Sequence, residues 1–479
     1  MRLLTRREEL LLQCRRQPEV VVDLLLASEE HVKDLHQEVL KLKERLALDS
    51  SNSGKPPSSD GLAKAPPRTL RQKSARKPGG QPGHPGHTLK AVNKPDHQKV
   101  HPLGRCPCGQ CGGVSLQGQP VLDYERRQVF DLPPLRLVVT EHQAEIKKCP
   151  ISGLTVKAAF PADVQAPVQY GPNFRGLALY LSNQQLLPFD RLRQTCLDLF
   201  GQPLSLGTLS QINQDAYQAL EPVQAAIARG LIQAPVVNVD ESGLRVEGKL
   251  RWLHVASTGY LTLYGVHDKR GTEAMDALGV LPNCRLWLVH DHWKPYYKYD
   301  ALHALCNQHL LRELKFLAQE NHQVWATELS HFLIQWKDNP LTQKGLDEQP
   351  FNTAHARYKA IVAQGRIHFS RRQPGQGRTR QCKAANMLDR LEDYDLSVLA
   401  FLIDPNVPFT NNQAERDIRM IKVKQKISGC FRKLAGAQIF ARVRSYLSTC
   451  CKQGRNLWDA CHQVVIDQPF MPQMPDADP

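Results

Sequence analysis

The hydrophobic and polar positions of residues 23–48 repeat every seven residues. The two seam positions are filled by Leu25, Ser28, Val32, Leu35, Val39, Leu42 and Leu46. Apolar seams flanked by Glu and Lys, kept over about three and a half repeats, are typical of a coiled coil. The pattern predicts a helix within residues 1–49 that joins copies of the chain into a homo-oligomer. Packing of this helix against its own domain is the alternative.

The apolar pattern disappears between residues 50 and 100, where Ser, Pro, Gly, Lys and Arg dominate. Such a composition cannot bury a core, so we expect a flexible linker. Six cations give the linker the character of a basic arm: Lys64, Arg68, Arg71, Lys73, Arg76 and Lys77. Basic arms follow phosphates or enter minor grooves, although a merely solvated linker fits equally well.

Residues 101–160 are identified by their cysteines as a zinc-ribbon-like domain. Cys106, Cys108 and Cys111 lie in "HPLGRCPCGQCGG", and Cys149 lies in "EIKKCPISG". The stretch between them predicts two strands joined by a Pro turn, so four ligands would surround one tetrahedral Zn²⁺. Ser152 occupies the place of a second cysteine in the second knuckle. Cys106 or His142 would then be the fourth ligand, and a ribbon without metal is the alternative.

Residues 161–231 are helical in pattern and predict a small bundle that binds DNA or braces the core. From residue 235 the pattern changes to short apolar strands. "PVVNVD" predicts a strand that ends in Asp240, and "LRWLHVAST" and "YLTLYGVHD" predict two more strands. A helix, "GTEAMDALG", precedes the strand "CRLWLVHD", which ends in Asp291. Residues 431–479 predict a helical C-terminal region.

A third carboxylate, Glu415, lies on the first turn of the predicted helix "FTNNQAERDIRMIKVKQK". Two strand-end aspartates and a helical glutamate can converge on one point, and oxygen ligands suit Mg²⁺. Each residue also has an ordinary structural explanation. Strand-end aspartates cap turns, and Glu415 fits a capping box with Asn412, as Gln413 does with Thr410. An i,i+4 ion pair with Arg419 is a further alternative.

The charge balance favours a polyanionic partner. The 479 residues carry 62 Lys and Arg against 47 Asp and Glu, a formal charge of +15. This indicates nucleic acid before membrane, and no apolar run approaches the roughly 20 residues that span a bilayer. The N-terminus is a poor signal peptide, so we expect a cytoplasmic protein. The cations that we expect to contact DNA are Arg416, Arg419, Lys422, Lys424, Lys426 and Arg432.

Several stretches together resemble the transposases of the bacterial insertion sequence 66 family. They include "SSNSGKPPSSD", "RKPGGQPGHPGHTL", "VDESGLRVEGKLRWLHVAST", "CNQHLLREL", "PFTNNQAERDIRMIKVKQKISGCFR" and "ARVRSYLSTCCKQG". The resemblance implies a multidomain α/β protein with a ribonuclease H-like mixed sheet in residues 232–430. It implies that Asp240, Asp291 and Glu415 are the catalytic triad. It also implies a leucine-zipper-like N-terminal segment and a zinc-binding cysteine domain.

Two further features lie in the region that the resemblance identifies as catalytic. The family usually has small residues after the second aspartate, where this chain has His292, Trp293 and Lys294. Residues 305–400 predict a large helical insertion, in which Cys306 and His309 match the C-x-x-H element of such enzymes. We expect this pair to brace the core, and a metal-binding pair is the alternative. A basic loop at residues 371–383 would touch transposon-end DNA.

The expected function is a DNA transposase that cuts element ends and transfers the strand to target DNA. Two Mg²⁺ or Mn²⁺ ions would activate a water or a sugar hydroxyl, and all three carboxylates would be ionised. A structural Zn²⁺ is a possible second cofactor, and accessory proteins encoded by the same element are possible partners. A catalytically inactive DNA-binding derivative and a nuclease of the same fold are the alternatives.

Overall fold

The computed structural model of the chain describes residues 88–474 without 368, 370 and 372–381, together with Gly83 and scattered residues between 15 and 35. The described residues between 15 and 35 are all helical. The rest of the predicted coiled coil, the basic arm, and most of the loop at 371–383 lie outside the described residues. The described chain forms two compact units, residues 88–141 with 198–202 and residues 142–197 with 203–474.

The larger unit is built on a five-stranded mixed sheet. The strands of the described chain are β1 (Ile146–Lys148), β2 (Thr155–Lys157), β3 (Val236–Val246), β4 (Lys249–Ser257), β5 (Thr262–His267), β6 (Trp287–His290) and β7 (Leu302–Leu305). The sheet order is β5-β4-β3-β6-β7. Strands β3, β4 and β5 pair antiparallel, whereas β6 and β7 continue the sheet parallel to β3. Strand β7 is an addition to the predicted elements.

Along the chain, helices precede, separate and follow the strands of this sheet. They are α1 (Pro172–Leu179), α2 (Phe189–Phe200), α3 (Leu206–Ala219), α4 (Glu221–Gln233), α5 (Thr272–Leu278), α6 (Asn307–Glu320), α7 (Val324–Lys337), α8 (Glu348–Arg366), α9 (Lys383–Asp393), α10 (Asp395–Val398), α11 (Ala400–Ile403), α12 (Asn412–Ser428), α13 (Leu434–Lys452) and α14 (Leu457–Val465). The predicted helicity of residues 161–231 and 305–400 is confirmed. No helix of the described chain has the length and apolar character needed to cross a membrane.

Strand β3 is longer than the sequence predicts, so Asp240 lies inside the strand and the prediction that it ends the strand is wrong. Beyond Asp240 the strand continues to Val246 and turns back into β4 through Glu247 and Gly248. Both turn residues have positive φ, 54° and 74°, which is the geometry of a type I′ hairpin. Leu244 is buried and secures the extension.

Helix α13 protects the outer edge of the sheet. The edge strand β5 donates its Tyr264 N–H to Ser445 Oγ at 2.9 Å and its Thr262 N–H to Thr449 Oγ1 at 3.1 Å. These bonds satisfy edge groups that would otherwise be free to pair with another strand. Phe440 of α13 also joins the apolar cluster formed with β4 and α12. Helix α13 is therefore packed on the five-stranded sheet.

The predicted ribbon between the cysteine knuckles is not formed. Residues 121–145 contain no strand, and only the three-residue strands β1 and β2 pair, on either side of Cys149. Val129 and Val139 in the predicted ribbon are 90% and 89% exposed. A two-stranded ribbon is marginal in water when it has no apolar face to pack on.

Candidate active site

The sheet brings Asp240 and Asp291 to neighbouring positions. The parallel ladder between β3 and β6 pairs Val237 with Leu288 and Asn238 with Val289, where it ends. Asp240 and Asp291 each lie two residues beyond that last pair. Because side chains alternate along a strand, residues two apart lie on the same face. The two carboxylates therefore lie where the parallel strands separate, which is a common position for ligand sites in α/β sheets.

Asn411 fixes the start of α12, and with it Glu415, against strand β3 and the start of α6. Its side-chain amide donates to Val239 O at 2.8 Å and accepts from Asn238 Nδ2 at 2.9 Å. Its backbone N–H donates to Cys306 Sγ at 3.2 Å. Asn411 is buried. Sequence reasoning missed this residue, although the pair Asn411–Asn412 is a recognisable helix-start signal.

The three predicted carboxylates share one electrostatic environment. Burial raises the pKa of Asp240 well above its usual value, and the charges of Glu241, Asp291 and Glu415 raise it further. The Glu241 N–H donates to Asp240 Oδ1 at 2.8 Å and opposes this rise. The Trp293 N–H donates to Asp291 Oδ1 at 3.0 Å. The expectation that Asp240 is ionised therefore depends on a bound cation, as the predicted metal ions would provide.

A fourth carboxylate, Glu241, was not singled out by sequence reasoning, and it braces the site. It accepts from Arg270 Nη2 at 2.6 Å and from the Tyr296 hydroxyl. The guanidinium of Arg270 lies 4.1 Å from the ring centroid of Trp293 and 4.9 Å from that of Trp252. These contacts order the turn after Asp291, so Trp293, a departure from the family pattern, has a structural role. The acidic doublet Asp240–Glu241 was the available signal.

The ordinary structural explanations of Glu415 are not met. The N-cap of α12 is Asn411, without a side-chain capping bond, so neither predicted capping box forms. Among the ion pairs of the described residues none joins Glu415 to Arg419. Instead, Glu415 Oε1 is buried without a hydrogen-bond partner in the described chain. The carboxylate is held in place by the fold and not by partners of its own.

Three cations of helix α12 lie on the same face as Glu415. Arg419, Lys422 and Lys426 follow Glu415 at helical spacings of four, three and four residues, which places them in one stripe. All three cations are exposed. The Lys422 ammonium lies 3.4 Å from Gly243 O on β3, and the charge of Asp240 raises its pKa although burial lowers it overall. The stripe therefore leads to the carboxylates.

The other charges of this helix have separate partners. Asp417 binds the buried Lys452 ammonium at 2.8 Å and so does not neutralise the basic stripe. Lys424 is half-buried, with its ammonium 5.8 Å from the Phe440 ring centroid. Arg416 and Arg432 are exposed. Of the six predicted DNA-contacting residues, five are exposed and Lys424 packs partly against the core.

Cys306 and His309 lie beside Glu415. Cys306 is the N-cap of α6, and His309 lies in the first turn of that helix. The Sγ atom, a ring nitrogen of His309 and a carboxylate oxygen of Glu415 all lie within 4.8 Å of one another. Burial raises the pKa of the Cys306 thiol to about 11. The C-x-x-H element thus lies beside the predicted catalytic glutamate.

The smaller unit holds a compact cysteine cluster. The sulfurs of Cys106, Cys108 and Cys111 lie within 4.8 Å of one another, and the Cys108 and Cys111 sulfurs are 3.4 Å apart. The Gln110 N–H lowers the pKa of the Cys108 thiol to about 7. Cys149 belongs to the larger unit, where its sulfur accepts the Ser152 N–H at 3.5 Å. The four-cysteine zinc site therefore stays a prediction.

Comparison with known families places the chain in context. Residues 167–439 match the family model described as Transposase IS66 family. This match covers more than half of the 479 residues, including every element that carries the three carboxylates. Residues 6–90 match a family of unknown function, DUF6444. No curated protein matches the chain.

Proposed function

The chain belongs to the Transposase IS66 family, and from this premise we propose that it cuts phosphodiester bonds at transposon ends and joins the strand to target DNA. The proposed site consists of Asp240, Asp291 and Glu415 on a ribonuclease H-like core. The observation that carries the proposal is geometric: Asp240 and Asp291 each lie two residues beyond the last pair of the parallel ladder, and Asn411 ties the start of the Glu415 helix to the same strand β3. Three carboxylates gathered from distant segments are costly to bury unless a cation compensates them.

The residues present fit divalent cations. None of the three carboxylates forms an ion pair within the described chain, and Glu415 Oε1 is buried without a hydrogen-bond partner. Carboxylate oxygens are hard ligands of the kind that Mg²⁺ and Mn²⁺ prefer. Asp240, Asp291 and Glu415 would hold two such ions. When bound, the ions supply the positive charge that activates the attacking hydroxyl and stabilises the leaving oxygen.

The protein itself positions these groups. The Glu241 N–H orients Asp240, and the Trp293 N–H orients Asp291. Asn411 holds the first turn of α12 against β3, so Glu415 has a fixed distance to Asp240. Such preorganisation places the reacting groups before the DNA arrives.

The basic face of α12 supports DNA as the substrate. The helix has 17 residues and therefore extends about 25 Å. Its exposed cations Arg419, Lys422 and Lys426 share the face of Glu415, and phosphates that contact them would be guided to the carboxylates. Asp417 does not oppose this attraction because Lys452 already binds it.

The proposal also includes an N-terminal coiled coil, a structural Zn²⁺ at the cysteine knuckles and accessory proteins of the same element. Val32 and Leu35, at seam positions of the heptad, are 60% and 49% exposed in the single chain. Apolar seam residues need a partner surface in water. This exposure supports self-association of the N-terminal helix.

The test is a cleavage and joining assay on labelled DNA that carries the element ends, with Mg²⁺ and with EDTA. We expect wild-type protein to nick and join, and Glu415→Gln to do neither while it still binds the DNA. Asp300→Asn, an exposed aspartate outside the site, is the matched control and should remain active.

The other outcomes distinguish the alternatives. Nicking without joined products would indicate a nuclease. DNA binding without Mg²⁺-dependent nicking by the wild-type protein, with accessory proteins supplied, would overturn the proposal in favour of a DNA-binding derivative. Retained cutting by Glu415→Gln would remove Glu415 from the site.

A further inference from the structure

Three side chains of different chemistry converge at the start of α6. Cys306 provides a sulfur, His309 a ring nitrogen and Glu415 a carboxylate oxygen, all within 4.8 Å of one another. Cys306 and His309 are close because residues three apart share a face of a helical turn. Glu415 comes from α12, more than a hundred residues later. The cluster is therefore a product of tertiary packing and not of one local motif.

Two polar atoms of this cluster are buried without a hydrogen-bond partner in the described chain. They are Nδ1 of His309 and Oε1 of Glu415. A buried polar atom that has lost its water costs about 1–3 kcal/mol when nothing replaces that water. Two such atoms in one cluster indicate a ligand that would contact both side chains.

The surroundings of Cys306 favour a thiolate in contact with a cation. The Asn411 N–H donates to Sγ at 3.2 Å, and hydrogen bonds to ligating atoms are the usual outer support of metal sites. Cys306 also lies at the N-terminus of α6, where the helix dipole stabilises negative charge. A thiolate in so buried a position would need a bound cation to compensate its charge.

We propose that Cys306, His309 and Glu415 bind a borderline or soft divalent transition-metal ion, with Zn²⁺ as the first choice. Thiolate and imidazole ligands select such ions over Mg²⁺. Three protein ligands with one open position are a familiar arrangement for zinc. The inference goes beyond the proposed function, because that function requires only hard ions on three carboxylates.

The observed spacing is close to what such an ion requires. Zinc bonds of about 2.0–2.3 Å in a tetrahedral site place ligand atoms roughly 3.3–3.7 Å apart. The atoms of this cluster lie within 4.8 Å of one another, so modest side-chain rotations close the site. Glu415 has two carboxylate oxygens, and the ion would share this residue with the proposed catalytic site. The bound ion would then fix the orientation of the Glu415 side chain.

Cobalt absorption tests the site directly, because a Co²⁺–thiolate bond gives a charge-transfer band in the near ultraviolet. The probe is Co²⁺ added to the full chain in which Cys106, Cys108, Cys111 and Cys149 are replaced by Ser. We expect one equivalent of Co²⁺ to produce the band, Zn²⁺ to displace it and Mg²⁺ to leave it unchanged. Cys306→Ser should abolish the band, and His309→Gln or Glu415→Gln should weaken Co²⁺ binding by at least about 10-fold.

Cys284→Ser is the matched control, since Cys284 is also buried and lies outside the cluster. It should keep the band. Circular dichroism checks that each variant is folded, and His309→Gln serves if Cys306→Ser does not fold. Absence of the band, or a band that persists in folded Cys306→Ser, would overturn the inference and leave the pair as a structural brace. If the wild-type protein does not cut DNA while the cobalt band forms in the variant without the four cysteines, only the proposed function is refuted.

Discussion

The cysteine cluster and the carboxylate cluster of this protein are assembled in opposite ways. Cys106, Cys108 and Cys111 lie within six residues of one another, and two of them are exposed. Asp240, Asp291 and Glu415 come from two strands and a helix, and they are partly buried. The first cluster is a property of one turn, whereas the second exists only when the sheet and α12 are packed together.

This difference determines how much free energy the formation of each cluster requires and which substitutions can disturb it. The cysteine turn needs only local geometry, with positive φ at Gly109, Gly112 and Gly113, which glycine adopts without strain. The carboxylate cluster brings like charges together, so folding must work against their repulsion. Distant substitutions should therefore disturb the carboxylates and leave the cysteines unaffected.

The largest expected effect tests whether the carboxylates act as one unit. Asp291→Asn should reduce Mg²⁺-dependent DNA cutting by roughly 10³-fold or more, because it removes a charge that the ions require. DNA affinity should change little, since the phosphate contacts lie on α12. Gel assays of cutting and binding measure both. Cutting within a few-fold of wild type would show that the cluster is not catalytic.

The second largest expected effect tests how the carboxylate cluster depends on tertiary packing. Asn411→Ala removes the two side-chain hydrogen bonds of a buried residue and should lower the free energy of unfolding by about 2–4 kcal/mol. Urea denaturation measures the loss. Asn412→Ala, one residue further and exposed, should change it by less than about 0.5 kcal/mol. Equal effects of the two substitutions would contradict the role of Asn411.

The burial of Asp240, together with the repulsion from neighbouring carboxylates, predicts that removal of its charge stabilises the metal-free protein at neutral pH. Since the folded state raises the pKa of Asp240, metal-free wild-type protein loses stability as pH rises from about 3.9 through the raised pKa. Asp240→Asn cannot ionise and should therefore be more stable at pH 7, with each unit of raised pKa worth about 1.4 kcal/mol. Thermal unfolding should show the difference vanish below about pH 4. A lower Tm for Asp240→Asn at pH 7 without metal would contradict this.

The smallest effect is expected in the cysteine cluster. Cys108→Ser should reduce Zn²⁺ binding by at least about 10-fold. It should leave the temperature of the main thermal transition within about 1 °C of wild type, because Cys108 is exposed and buries no apolar surface. Zinc analysis and calorimetry of the same sample provide the two measurements. A large fall in Tm would show that the cysteine cluster, too, stabilises the folded core.

Much of the catalytic region was predictable because its signals are local. The apolar run that ends at Asp291 predicts β6, and the helix that begins near Glu415 is α12, as predicted. The end of β3 was predicted wrongly because the polar residues after Asp240 hide the strand that continues to Val246. Its hydrogen-bonded partner, β4, supplies the information that periodicity lacks.

Residues that act through distant partners were not predictable. Glu241 and Arg270 are 29 residues apart in the chain, and Asn411 bonds to Val239 across 172 residues. Nothing within a few residues of either site indicates these contacts. The same holds for the predicted ribbon between the cysteine knuckles, since residues 121–145 contain no strand.

The sequence by itself determined the family, the basic character, the helices and the residue types of both clusters. Periodicity, turn chemistry and motif spacing are properties of neighbouring residues, so they can be read without the fold. Only the tertiary structure decided that Glu415 lies against Cys306 and His309, and that Asp240 is buried among other carboxylates. Burial and long-range hydrogen bonds set these positions, and both arise when separate segments of the chain exclude water together.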